Sequence, residues 1–187
     1  MATQTNLESQ TRTQSTTNDG YRSLPHNLEV EQALLGAILV NNEAANQVSG
    51  FLEEDHFFLD VHGRIFDTII KLIDRGQIAS PITLKHFFES DAGLTNLGGT
   101  QYLARLAGAA VTIINAENYG KIVHDLAMRR SLISIGENIV NDAFDAPLDE
   151  TAIDQLESAE QKLYKLAEDG ENEGGFQDFS SSLTTAV

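Results

Sequence analysis

The sequence of 187 residues contains no cysteine. Disulfides and thiolate metal sites are therefore excluded, and a reducing compartment fits. The N-terminus has no apolar stretch of the kind a secretory signal needs. No apolar run approaches the roughly 20 residues a membrane helix requires. The expectation is a cytoplasmic chain without membrane association. Basic residues are also scarce: 12 Lys and Arg stand against 28 Asp and Glu, a formal charge of −16. Binding DNA or RNA requires phosphate neutralisation, which an acidic surface opposes. Little direct nucleic-acid binding is expected.

Motifs of catalysis are missing as well. No G-x-x-x-x-G-K-[ST] cradle, no G-x-G-x-x-G and no H-E-x-x-H occurs. His26, His56, His62, His86 and His124 never pair at the spacing that puts two ligands on one helix face, so no metal site is expected. His62 and His86 fall in early helical turns, where capping or surface roles are expected. Ser131 and Ser134 lie near His124, but no acid completes a triad and no elbow turn presents a nucleophile. Arg129 and Arg130 are expected to pair with acidic residues of an opposite helix. No catalytic or cofactor-binding residue emerges.

What remains reads as helix throughout. Residues 1–22 are rich in Thr, Gln, Asn and Ser, and cannot bury enough apolar area to offset the entropy of ordering, so a disordered tail is expected. Residues 23–114 read as a globular helical bundle. Asn27 caps a helix whose first turn holds Glu29 and Glu31. Its wide apolar face includes Leu28, Leu34, Leu35, Ile38 and Leu39, and Asn41-Asn42 ends it. Glu43–Val48 predicts a short helix. Asp60 is expected to cap a helix over 61–75, with Gly76 in the left-handed position after its end. Pro81-Ile82-Thr83 opens another, with Thr83 as its cap and Leu84, Phe87 and Phe88 inward. Asp91-Ala92-Gly93 is expected to end it, with a turn over 94–99. Thr100 then caps a helix carrying Tyr102, Leu103 and Leu106, and 111–114 forms an apolar connector.

Residues 115–169 predict a long antiparallel hairpin. Its first arm covers about 115–144 and its second about 149–168. Pro147 breaks the helix between them, because it lacks an N–H and clashes with the preceding turn. In the first arm Tyr119, Val123, Leu126, Arg130, Ile133, Glu137, Val140 and Phe144 alternate by 4 and 3. Ile122, Leu132, Ile135 and Ile139 form a second flank. In the second arm Ile153, Leu156, Glu160, Leu163 and Ala167 follow the same alternation. One stripe suffices for the partner arm, so the extra width predicts burial against a globular domain, a second copy, or both. Acidic residues crowd 149–178, as a solvated face or as a surface for a basic partner. Residues 170–187 read as an acidic flexible linker and the start of a further helix. Its apolar positions Phe176, Phe179, Leu183 and Val187 need a partner.

Five stretches then carry a resemblance. They are Pro25-His26-Asn27-Leu28-Glu29-Val30-Glu31-Gln32-Ala33-Leu34-Leu35-Gly36, His62-Gly63-Arg64-Ile65-Phe66, Ile82-Thr83-Leu84, Gly98-Gly99-Thr100-Gln101-Tyr102-Leu103, and Tyr119-Gly120-Lys121-Ile122-Val123 with Arg130-Ser131-Leu132-Ile133. In this order and at these gaps they resemble the N-terminal domain of bacterial replicative DNA helicases of the DnaB family, over about 25–187. The resemblance implies an all-α fold, a small bundle followed by a long helical hairpin, and a chain that lacks the C-terminal ATPase motor. ATP and Mg belong to that absent motor, and no cofactor is implied here.

The resemblance further implies an assembly role in DNA replication. Hairpins pair into homo-dimers, a trimer of dimers builds the collar of a homo-hexamer, and the collar binds primase in the primosome. Leu126, Ile133, Val140, Phe144, Ile153, Leu156 and Leu163 are then the candidates for self-association. Phe179, Leu183 and Val187 are the candidates for linker docking on a neighbouring motor. A free-standing helical adaptor for a basic protein is the alternative. A small helical enzyme is a third reading, but it needs a polar pocket for which the sequence offers no residue set.

Overall fold

A computed structural model describes residues 23–109, 115–147 and 150–171. The expectations for 1–22, for 110–114 and for 172–187, with Phe179, Leu183 and Val187, lie outside the described residues. Among the described residues every regular element is helical, so the fold is all-α as expected.

Helix α1, Leu28–Val40, is the hub. Asn27 caps it as predicted: its Oδ1 accepts the Val30 N–H at 3.2 Å. Leu34 through Leu39 are all buried, which is the mark of a helix surrounded by others. Its neighbours are α2 (Asp60–Asp74), α5 (Gln101–Ala109) and α6 (Ala116–Phe144). Residues 42–47 correct the expected short α-helix. Asn42–Gln47 is a 3₁₀ helix, the winding short connectors favour. The Asn42 amide secures it, donating to the carbonyls of Ile38 and Ala79 at 2.8 Å each and accepting the Ala79 N–H at 2.9 Å. A second 3₁₀ turn, Glu54–His56, leads into α2.

Asp60 does not cap α2. Leu59 holds the cap position without a side-chain bond, and Asp60 is the first helical residue, where its charge meets the positive end of the dipole. The far end matches expectation. Gly76 has φ +70°, and the Gly76 and Gln77 N–H groups close on the carbonyls of Ile73 and Leu72. Gly63 of α2 is required by close approach. A Cβ there would sit 2.2 Å from the Glu54 carbonyl oxygen. Gly63→Ala must push the Glu54–His56 turn away, and a loss of about 2–3 kcal/mol is expected in urea unfolding.

Helix α3, Pro81–Phe88, starts three residues earlier than a cap at Thr83 would dictate. Ser80 is the cap, Pro81 occupies the first turn where its missing N–H costs nothing, and Thr83 closes a reciprocal box with Ser80. Leu84 and Phe88 are buried, but Phe87 points outward at 58 % exposure. The expected turn at 94–99 contains a further helix, α4, Ala92–Asn96. Asp91 caps it, accepting the Leu94 N–H at 2.8 Å while Arg64 grips both its oxygens. The Leu94 N–H first, and Arg64 after it, hold the Asp91 carboxyl below the usual carboxylate range.

Helices α6 and α7 (Ala152–Glu171) form the hairpin. Only the first half of α6 enters the core, through Ala116, Gly120, Val123, His124 and Ala127. From Ser131 to Phe144 every residue but Ile135 is exposed. The arms therefore project from the head. No helix among the described residues is long and apolar enough to cross a membrane.

A candidate assembly surface and the joint that carries it

The inner seam of the hairpin uses the second apolar flank of α6, not the first. Met128, Leu132, Ile139 and Ala143 line the cleft between the arms, with Ala152, Gln155, Leu156, Ala159, Leu163 and Leu166 of α7. Near the tip the Gln155 side chain donates to the Asp142 carbonyl at 2.9 Å. This seam satisfies the pairing of arms within one chain.

The other stripe of α6 is left open, and Leu156 and Leu163 of α7, which edge the cleft between the arms, are exposed with it. Phe144 is 85 % exposed, Leu156 69 %, Ile153 68 % and Val140 54 %. Ile133 and Leu163 are also exposed, and Leu126 is half-buried beside the head. Tyr164 of α7, outside the counted heptad positions, is also exposed, at 69 %. The seven residues proposed for self-association thus lie along one projecting hairpin, and six of them are exposed in the single chain. Acidic Glu150, Asp154 and Glu157 are exposed beside them.

Arg129 and Arg130 do not pair with the opposite arm. Arg129 binds Asp125 on its own helix at 2.7 Å. Arg130 reaches the head, where Nη1 donates to the Pro25 carbonyl at 3.0 Å and Nη2 to the His56 carbonyl at 2.7 Å. Its guanidinium also stands 5.9 Å from the centre of the Phe58 ring. His26 stacks on that ring at 4.0 Å. His56 packs edge-on against His124 of α6 at 4.7 Å. Below this joint lies a polar cleft lined by Glu53, Asp55, His56 and His124 of the head side and by Lys165 and Asp169 of α7.

Burial pushes the His56 imidazole below its ordinary 6.5, and Arg130 acts in the same direction, against the opposing pull of Asp55 and Glu53. Its Nδ1 accepts the Glu53 N–H at 3.0 Å, a bond only the neutral ring can make. The unfolded chain binds this proton more readily, so stability rises with pH between the folded value and 6.5. The contribution is complete above 6.5 and is lost as pH falls through the folded value. The urea midpoint should drop from pH 7.5 to 5.5. His56→Asn keeps an acceptor but cannot titrate, and should show a smaller drop. An equal drop in the variant would remove His56 as the cause.

His62 corrects the expected surface role. It is fully buried and joins three helices. Its Nδ1 meets Glu31 Oε2 at 2.6 Å and its Nε2 meets the Tyr102 hydroxyl at 2.7 Å. Glu31 Oε1 accepts the Phe58 N–H at 2.7 Å, and Gln32 donates to Tyr102 at 3.1 Å. A carboxylate only accepts, so the His62 Nδ1 that meets Glu31 donates to it. Burial raises the Tyr102 phenol above its ordinary value. The relay has the residue types of a catalytic set but no access for a substrate. It is a tie among α1, α2 and α5, and it orders Phe58 under Arg130. The one sequence signal was Glu31 itself, a charge inside an otherwise apolar helix face.

Comparison with known proteins agrees with this architecture. Residues 23–125 match the family described as DnaB-like helicase N terminal domain. The "Replicative DNA helicase DnaB" of Rickettsia typhi is 46 % identical over 166 residues, 89 % of this chain and 33 % of that protein. That of Treponema pallidum is 36 % identical over 142 residues, 76 % of this chain and 32 % of that protein. The chain thus spans about a third of the length of these relatives. Among solved structures, the N-terminal domain of DnaB helicase from Mycobacterium tuberculosis has a TM-score of 0.70 at 26 % identity, covering 76 % of this chain and 99 % of that one. A DnaB-like replicative helicase described with its interactions with primase shares the fold, with a TM-score of 0.63 at 23 % identity, over 85 % of this chain and 35 % of that one. From its head, its hairpin and these likenesses, the chain belongs to the DnaB-like helicase N-terminal domain family.

Proposed function

We propose that this chain is the assembly and partner-docking domain of a replicative DNA helicase. Two copies pair through the open faces of their hairpins, pairs close into a hexameric collar, and the collar receives primase. The observation that carries this reading is the stripe of Val140, Phe144, Ile153 and Leu156, all more than half exposed on arms that project from the head. Burying each such side chain contributes on the order of 1–3 kcal/mol. Association costs about 4–15 kcal/mol, so a single contact is too little and a paired stripe from both copies is enough. The helicase activity named for the relatives is assigned to the complete protein; this chain is read as non-catalytic, and ATP and magnesium are given no site in it.

Charge sets a condition on the pairing. Each copy carries a formal −16, and Glu150, Asp154 and Glu157 are exposed beside the apolar stripe. Like-charge repulsion is screened by salt. Dimerisation should therefore tighten from 20 mM to 200 mM salt in sedimentation velocity, opposite to an interface built on ion pairs. For docking, primase titrated into the labelled dimer should give a saturable shift in sedimentation. No shift at any concentration would remove primase from the proposal and leave pairing standing.

A further inference from the structure

The first arm of the hairpin leaves the head at Arg130, and the end of the second arm, through Lys165 and Asp169, only lines a polar cleft with head residues. Ala127 is the last buried residue of α6, Arg130 is half-buried, and beyond it the helix is exposed except at Ile135. The fourteen residues from Ser131 to Phe144 extend roughly 20 Å past this point. Over that lever a tilt of about 10° moves the tip by roughly 4 Å, more than a close-packed interface accepts.

Arg130 is built to prevent such a tilt. Its two terminal nitrogens fork to carbonyls of two separate segments, Pro25 ahead of α1 and His56 at the end of the 3₁₀ turn. Between those segments lies Phe58, covered by His26 on one contact and by the guanidinium on another. His26 is itself held by the Leu24 carbonyl at 2.7 Å from Nδ1. Phe58 is fixed through its N–H by the buried Glu31. Two bonds to two independent segments and a ring contact define a direction, which one bond cannot. The planar fork suits this use, as a point-charge ammonium does not.

We propose that Arg130 is a positioning residue that fixes the angle of the hairpin on the head, and through it the geometry of assembly. The proposal rests on the hairpin-pairing reading above. A closed ring forms only if each subunit holds its interfaces at one fixed rotation, and a spread of rotations gives open or mixed assemblies. A freed hairpin still presents its apolar stripe. Pairing of two copies therefore survives the loss of Arg130, while closure to one defined larger assembly does not.

The absence of native cysteine makes the angle measurable. Spin labels at Gln77→Cys and Asn141→Cys, both exposed positions, report the distance from the head to the region near the tip. The full chain is used, diluted with unlabelled protein so that only distances within one copy are read. With Arg130 present a single narrow distribution is expected. Arg130→Met should broaden it by about twofold or more, with hydrogen-exchange protection of α1 and α2 unchanged. Arg130→Lys should fall between the two. Phe58→Leu, which keeps apolar volume but removes the ring, should also broaden it. Equal narrow widths in all four proteins would overturn the proposal. So would broadening accompanied by loss of α1 protection, since Arg130 would then hold the fold and not the angle. Mass measurement on the same samples separates the two readings: a monomeric parent chain contradicts the pairing role, while the distance widths still judge Arg130.

Discussion

Ile153→Asp combined with Leu156→Asp is expected to convert the paired chain into a monomer. Both side chains are about two-thirds exposed in the single copy. Neither belongs to the Glu31–His62–Tyr102 tie or to the head, and Leu156, which edges the cleft between the arms, is already 69 % exposed there, so the monomer should keep its helicity and nearly all of its thermal midpoint. In the pair, each introduced carboxylate would lie in an apolar contact without a partner, a cost of several kcal/mol per charge. Both copies carry both substitutions. The dissociation constant should rise by a thousandfold or more, about 4 kcal/mol at least. Sedimentation equilibrium reads this directly. A variant that stays paired at the parent's affinity would place the interface elsewhere, with the exposed α3 residues Ile82 and Phe87 as the next surface to test.

Glu31→Ala should produce the largest loss of stability. Glu31 is 3 % exposed and His62 is fully buried. Removing the carboxylate strands two donors in the core, the Phe58 N–H and the His62 ring N–H. Each stranded group costs about 1–3 kcal/mol, and the lost methylenes leave a void besides. A total of roughly 3–5 kcal/mol is expected, a large part of the margin of a small domain. Tyr102→Phe removes one hydroxyl, strands the fully buried His62 Nε2 and releases the half-buried Gln32 amide, so about 1–3 kcal/mol is expected there. Urea unfolding of the two variants gives the order. If Tyr102→Phe costs as much as Glu31→Ala, the carboxylate is not the centre of the tie.

The helix ends that sequence reading places well are those decided by local chemistry. Asn27 caps because its own side chain reaches the Val30 N–H three residues on. Gly76 stops α2 because the left-handed conformation favours glycine there. Pro147 divides the arms for the same local kind of reason. Features decided at long range were not legible. Helix α4, Ala-Gly-Leu-Thr-Asn, is only five residues long and mixes the good helix formers Ala and Leu with Gly, Thr and Asn, and Asp91 starts it while gripped by Arg64, 27 residues earlier in the chain. The His62 tie spans separations of 31 and 40 residues. No spacing rule joins them.

The hairpin shows a different limit. Both apolar stripes of α6 were visible by counting, and so was the excess of apolar width over what one partner arm needs. Which stripe turns inward was not visible, because Leu132, Ile135 and Ile139 are as apolar as Ile133, Val140 and Phe144. Packing placed Leu132 and Ile139 at the cleft between the arms, where they stay 53 % and 36 % exposed in the single chain, and turned Val140 and Phe144 further outward. Arg130 was read as a heptad interruption facing the other arm. Its fork instead meets two head carbonyls, and nothing in the helical period marks such a contact.

The central claim is that the open hairpin face joins two copies of this chain. Light scattering across a concentration series tests it most directly. The account predicts a mass of about twice 20.4 kDa at low concentration, passing toward three such pairs as concentration rises. A mass that stays at one chain across the whole series would contradict it, and would return the exposed stripe to some partner other than a second copy.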